Sequence, residues 1–492
     1  ERWQKMESLI RCEKKEDELV LQFDGQGETA AIVVTAPSMG GIRLCSGQGG
    51  FFQPEGVGKL AYEEKGEGCF CVYGGGEALT VRTGRKWSLE LADRQERPDG
   101  QGRPGGQEQP AEEGWPVLRF GRECVAFGLA QGRREKVRLS LALGEDERIF
   151  GLGERFDGVD QTGNRHFFWN TDCGYNVDSD GIELWRSYKN VPILHSTGGY
   201  TLFFNSLYPA VSDVGYTRED ELRWEFWGPT FDLYLWTGSL AERLVRYSDL
   251  TGRPYLPPKW AFRYMSGGGN SFWYGIDWGK GNDPERYLKV LADTLNGYER
   301  LGTPHMAALY GEGWLADNDM AYEMLKKNGI RMLRWNPPDY PIEQMRECLP
   351  GEADEALPRI KKVDAPEEDA GDYIDFTKEN AATMIYNRLE RYFAQGLRGG
   401  MLDFAEMVPE DALYANGMTG LEMHNLNPYW YGMRYGEAAK RAVGEDYLYY
   451  CRGGCAGSQT WCATFSGDQP AALYGLKQQL GSMLSLSLSG FS

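Results

Sequence analysis

The stretch GGMLDFAEMVPEDALYANG, Gly399–Gly417, decides how the second half of the chain folds. Apolar residues run into Asp403. Glu406 follows, and Glu410 and Asp411 sit beside Pro409. The interior of a buried strand has little use for acid, because burying an unpaired carboxylate is costly. The end of a strand opening onto a pocket can use it. MLDF therefore reads as a strand with Asp403 near its C-terminal end, entered from a helix over Lys378–Gln395 that stops at Gly396.

Working outward, the same unit repeats. A helix over Pro284–Leu301 precedes the strand HMAALYG, a helix over Asp319–Asn328 precedes IRMLRWN, and a helix over Asn425–Val443 precedes YLYYC. Such β-α alternation predicts a parallel sheet. Polar residues at the strands' C-terminal ends favour a (β/α)8 TIM barrel, whose sites sit at that face. An open doubly wound sheet is the runner-up, weakened by the absence of a GxGxxG or GxxxxGK[ST] phosphate loop. Glu343–Ala370, polar and Pro-rich, reads as an insertion or long loop.

The first part of the chain has another character. LVLQF, AAIVVTA, FCVYGG, LTVRT, WSLEL and VRLSLAL are short segments with strand patterning, separated by Gly and charged turns. They predict an N-terminal antiparallel β-sandwich. Arg94–Gly114, rich in Gly, Pro, Gln and Glu, reads as a solvated loop, and Pro254-Tyr255-Leu256-Pro257-Pro258 as a stiff connector. The expected division is a sandwich over 1–253 and a catalytic barrel over 254–492.

Composition narrows the partners. The 492 residues carry a net charge of −19, which disfavours nucleic acid and anionic membranes. No apolar run of about 18 residues predicts a membrane span. Fifteen Trp and 28 Tyr suit core packing and also the apolar C–H faces of sugar rings. Ten scattered Cys without a CxxC, and with no His beside Cys451, Cys455 and Cys462, argue against a zinc site and fit a reducing compartment. The expected location is the cytoplasm; with Glu rather than Met at position 1, a trimmed leader stays an open alternative. No metal or organic cofactor is implied, and a homo-oligomer is left open.

Chemistry converges on Asp403, on Arg452 after YLYYC, and on Asp468 in FSGDQ. Two carboxylates in one pocket suit glycoside hydrolysis: one attacks the anomeric carbon and the other protonates the leaving oxygen. Spacing alone does not set this pair apart from the 72 acidic residues of the chain.

Motif order adds more. MLDFAEMVPEDALYANG is similar to a KxDFGE segment followed by VPxDA; MTGLEMHNLNPYWYG contains a G-x-E-M-H-N run; CRGGCAGSQ is similar to ARSG-x-x-G-(S/A)-Q; FSGDQ is similar to WxGD-(Q/N). Upstream, IFGLGERFDGVDQTGNRHFFWNTD, NVPILHSTGGYTLFFNS and PYLPPKWAF follow in the same order. Together they resemble glycoside hydrolase family 31, the α-glucosidases and α-xylosidases, from about Arg148 onward.

The resemblance implies a retaining α-glycosidase acting at non-reducing ends, with Asp403 as nucleophile and Asp468 as acid/base. It implies substrate contacts from Arg452, Phe404, Glu406, Trp335, Asn336, Glu312 and Trp314, and from Trp169 and Asp172 of the WNTD loop. An α-transglycosylase of the same family and a catalytically silent carbohydrate-binding relative are the alternatives.

Departures are equally visible. Met401 stands for the family's Lys, Ala405 for Gly, Gly453 for Ser, and Phe465 is the aromatic of the acid motif. ALYGEGW replaces an I-D-x-x-W strand end, so Glu312 stands for an Asp. No basic pair between Gly311 and Asp319 is set to hold a sulfonate, which argues against a sulfoquinovosidase. Ending at LSGFS, the chain reads as a barrel truncated before its last strands and the family's C-terminal β-domains.

Overall fold

The computed structural model describes residues 2–24, 29–47, 49–84, 86, 88–92, 118–121, 124–130, 133–173, 186–269, 284–302, 304–366, 368–469 and 472–491. The Arg94–Gly114 segment lies outside them. Two compact units emerge. The first comprises Glu1–Trp169, Cys173–Arg253 and Asp468–Gly490; the second comprises Asn170–Asp172, Pro254–Gly467 and Phe491–Ser492.

The first unit is built from antiparallel sheets of nine, six and five strands. Alternation in the sequence is what folds them. In Glu18–Asp24 the residues Leu19, Leu21 and Phe23 are buried while their neighbours face outward, and Glu221–Trp227 repeats the pattern with Leu222, Trp224 and Phe226. Asn190–Ser196 and Phe231–Thr237 are buried throughout, so their polar residues need internal partners. The helix Leu473–Leu488, expected in the barrel, groups with this unit. His195 Nε2 lies 2.6 Å from the Leu488 carbonyl, and the Gly153 N–H donates to Ser489 Oγ at 2.8 Å.

Among the described residues the second unit carries six parallel strands: β1 (Met265–Gly269), β2 (Ala308–Gly311), β3 (Arg331–Asn336), β4 (Leu397–Leu402), β5 (Leu448–Cys451) and β6 (Ala463–Thr464), paired in that order. Helices Pro284–Arg300, Asp319–Lys327, Asn380–Gln395 and Asn427–Val443 link them. This is the parallel sheet of a TIM barrel with β1 and β6 at its edges.

Strand β4 needs its two glycines. A Cβ on Gly399 would stand 2.0 Å from the Leu448 carbonyl oxygen, and one on Gly400 1.8 Å from that of Arg334. Both have positive φ (115° and 149°), so β4 threads closely between β3 and β5.

The segment read as a long loop is ordered. Arg359–Lys362 pairs with Asp369–Ile374 and with Ala412–Leu413, making a three-stranded sheet just past the Asp403 segment. Its pairing partner lies some 50 residues downstream, and nothing in the local composition announces it. Among the described residues no helix is long and apolar enough to cross a membrane.

Candidate active site

Three neighbouring strands end at one level. The Asp403 N–H donates to the Asn336 carbonyl at 3.1 Å, and the Arg452 N–H donates to the Leu402 carbonyl at 3.1 Å. Strand β4 stops at Leu402, so Asp403 and Arg452 are the first residues past their strands, on the face where barrel sites lie.

Asp403 is buried and held on both oxygens. Oδ1 is 3.0 Å from Arg452 Nε and accepts the Phe404 N–H at 3.1 Å; Oδ2 accepts Trp335 Nε1–H at 2.9 Å. Phe404 itself takes φ +56°, a conformation that costs a non-glycine residue free energy and is frequent at functional sites. Its ring lies under the Arg452 guanidinium, 4.2 Å from Cζ to the centroid.

Arg452 is almost wholly buried and faces three carboxylates. Besides Asp403 it contacts Glu406 Oε1 through Nη2, and Asp172 Oδ2 lies 3.4 Å from the same nitrogen. Burial pushes the Glu406 carboxyl up to about 7, outweighing the opposing pull of Arg452. Its Oε2 has no hydrogen-bond partner. Glu410 and Asp411, by contrast, are exposed.

The EMHN run explains how Asp172 is held in this unit. His424 Nε2 is 2.7 Å from the Asn170 carbonyl oxygen, Asn425 Oδ1 accepts the Asn170 N–H at 2.8 Å, and the Asn170 amide donates to the Gly454 carbonyl at 3.0 Å. Asn427 ties the Asp403 segment down by donating to the Ala405 carbonyl at 2.8 Å. Burial holds His424 down at about 4, so it is a neutral brace at ordinary pH.

The barrel-facing floor is aromatic. Trp335, Met401, Tyr450 and Ala463 stand in register across β3 to β6. Tyr310 donates to Glu312 Oε1 at 2.7 Å, and its hydroxyl lies 3.7 Å from Met401 Sδ. The departures Met401 and Glu312 thus meet at one tyrosine. Tyr310 and Tyr450 escaped the sequence reading, although each is the next-to-last residue of its strand.

Asn336 is buried and spends its amide hydrogens on the Arg334 and Met401 carbonyls, at 2.9 and 3.1 Å, so it braces β3 against β4. Trp314 lies in the short helix Gly313–Asp317, and its side chain is outside the described residues. Trp169 and Asp468 group with the first unit. Among the described residues no group of His, Cys, Asp and Glu is arranged to hold a metal.

Comparison with known proteins agrees with both units. Residues 309–492 match the family model of the glycosyl hydrolases family 31 TIM-barrel domain. Residues 64–213 match the glycosyl hydrolase 31 N-terminal galactose mutarotase-like domain. The chain is 24% identical over 328 residues to alpha-xylosidase XylQ of Lactiplantibacillus pentosus, covering 63% of this chain and 40% of the relative. It is 24% identical over 410 residues to alpha-glucosidase 2 of Bacillus thermoamyloliquefaciens, covering 70% and 46%. Thus it spans under half the length of these relatives. Among solved structures, the cycloalternan-forming enzyme from Listeria monocytogenes in complex with a pentasaccharide substrate superposes with a TM-score of 0.79 at 18% identity, over 100% of this chain and 48% of that one. With both characteristic domains present in their expected order, the chain belongs to glycoside hydrolase family 31.

Proposed function

We propose that the chain carries the catalytic machinery of a retaining α-glycosidase that releases α-linked sugars from non-reducing ends. The observation that carries this reading is the setting of Asp403: a carboxylate at a barrel-strand end, accepting the Phe404 N–H on one oxygen and Trp335 Nε1–H on the other, with Arg452 paired to it at 3.0 Å. Such a group is oriented for attack on an anomeric carbon. Asp403 forms the ester bond to the sugar while the glycosidic C–O bond breaks. Asp468, carried over from the FSGDQ motif, gives its proton to the leaving oxygen, then takes one from the water that releases the sugar. Asp172, Glu312, Trp314, Trp335 and Phe404 contact the substrate, with Arg452 steadying the nucleophile and reaching a sugar hydroxyl; Trp169 belongs to the same loop as Asp172, and Asn336 acts from beneath.

Transfer to a second sugar instead of water uses the same intermediate, and relatives named for transfer, such as the isomaltosyltransferase of Sporosarcina globispora, keep it in view. A panel of aryl α-glucoside, α-xyloside, α-galactoside, α-N-acetylgalactosaminide and α-sulfoquinovoside, with Asp403→Ala as control, tests the reading. Turnover of one α-glycoside, lost in the control, is expected. Turnover that survives Asp403→Ala removes the nucleophile assignment. Product analysis with added acceptor sugar separates transfer from hydrolysis.

A further inference from the structure

Glu406 is the one carboxyl around Arg452 that the mechanism leaves without a task. Three carboxylates surround a single guanidinium, so one positive charge faces up to three negative ones. They are not equally placed. Asp403 accepts N–H donors on both oxygens. The Asp172 side chain is 40% exposed, so its charge is screened by solvent. The Glu406 side chain is 2% exposed, and only Oε1 reaches Arg452. Around Oε2 the structure offers apolar surface: a Cβ built on Gly453 would lie 3.2 Å from Oε2, 3.2 Å from Ala405 Cβ and 3.1 Å from Pro428 Cγ. A buried carboxylate oxygen without a donor is an expensive anion and a much cheaper neutral acid.

We infer that Glu406 is a positioning residue that works in its neutral, proton-bearing form, holding Arg452 against Asp403 without adding a further negative charge, and that the bare Cα of Gly453 keeps its Oε2 free of a competing donor. This rests on the glycosidase reading for its consequence, not for its geometry. The charged groups facing Glu406 are Arg452 after β5, Asp403 on its own segment and, through the guanidinium, Asp172; the helix Asn427–Val443 contributes Pro428 and Asn427, neither charged. The upward push of burial on Glu406, to about 7, agrees with a proton held through the mildly acidic range. Above that range Glu406 ionises and competes with Asp403 for Arg452, so turnover falls on the alkaline side.

The test is infrared difference spectroscopy on the full chain, parent minus Glu406→Gln, followed across pH. A protonated-carboxyl C=O band present at pH 6, fading near neutrality and absent from the variant is expected. Its absence at pH 6 overturns the inference. The pair Gly453→Ser with Ala405→Gly supplies a hydroxyl beside Oε2 and the space for it; it should move the fading of the band to lower pH, and an unmoved band removes Gly453 from the account. Kinetics adds a readout that mere structural support would not move. Glu406→Gln should lose less turnover than Glu406→Ala and lack the alkaline limb; equal losses, or an unchanged limb, contradict the positioning role. The infrared arm needs no turnover, so a silent glycoside panel would refute the proposed function while leaving Glu406 decided by its band.

Discussion

The two units treat buried acid in opposite ways. In the first, three buried carboxylates are each matched to a base: Asp232 takes Arg43 at 2.7 and 2.9 Å, Glu77 takes Arg246 at 2.6 Å, and Glu154 takes Lys189 at 3.0 Å. Asp232 also accepts the Gly50 N–H and the Asn205 amide, each at 2.7 Å, which leaves it well satisfied. In the second unit, Asp403, Glu406 and Asp172 share Arg452. A fold neutralises what it buries. A site keeps acid in excess because its chemistry consumes or moves charge, which makes the imbalance a marker of function.

The largest expected effect separates activity from stability. Asp403→Asn keeps the shape of the side chain but removes the carboxylate proposed to attack. Turnover of the responsive aryl glycoside should fall by about 10³-fold or more. With Asp403 neutralised, Glu406 can give up its proton and pair with Arg452 as a carboxylate, so the urea midpoint should change little. A large loss of stability would mean that Asp403 is a structural ion-pair partner like Asp232, and the contrast between the units would fail.

Next comes the matched region. Lys189→Met fills the same space and leaves Glu154 buried without its cation, where both side chains are 0% exposed. The cost in urea unfolding near neutral pH should be about 3–5 kcal/mol. Burial already pushes Glu154 upward from its ordinary value. Without the lysine the folded protein should hold a proton there over a still wider range, so the cost should shrink as pH is lowered. A cost independent of pH would point to lost packing, not to an orphaned charge.

Glu406→Gln comes third. In the unfolded chain this carboxyl ionises near 4.5, whereas the folded protein keeps its proton to about 7. Between those values the folded state binds more protons, so stability falls as pH rises. From below pH 4.5 to above 7 the parent should lose about 3 kcal/mol that the Gln variant retains. Denaturant melts of both proteins across that interval measure it. Parallel curves would show that Glu406 ionises as freely when folded as when unfolded.

The sequence exposed one side of this contrast better than the other. MLDFAE announces a strand running into acid, and YLYYCR a strand running into a base, because both signals are local. The parallel sheet follows from alternation, and Gly399-Gly400 from the close approach that neighbouring strands require. The partners are a different matter. That His424 and Asn425 grip Asn170, more than 250 residues earlier, or that Glu154 finds Lys189, depends on contacts between distant segments that no local pattern encodes. The same holds for Arg359–Lys362, which reads as loop until its pairing with Ala412–Leu413 is known. Tyr310 illustrates the third kind of omission: its own strand is legible, but its meeting with Met401 and Glu312 needs the register between strands.

The smallest expected effect is the control that gives the others their meaning. Arg346 and Asp354 form a forked pair at 2.9 and 2.6 Å, as well shaped as Arg43 with Asp232, but their side chains are 47% and 55% exposed. Water solvates each partner when the other is removed, and salt screens their attraction. Arg346→Ala should therefore leave the urea midpoint indistinguishable from the parent, at low and at high salt. If it instead costs as much as Lys189→Met, then pairing geometry, not burial, sets the value of an ion pair in this protein. The excess of acid around Arg452 would then lose its significance, since an unmatched carboxylate would be no more costly inside the barrel than on its surface.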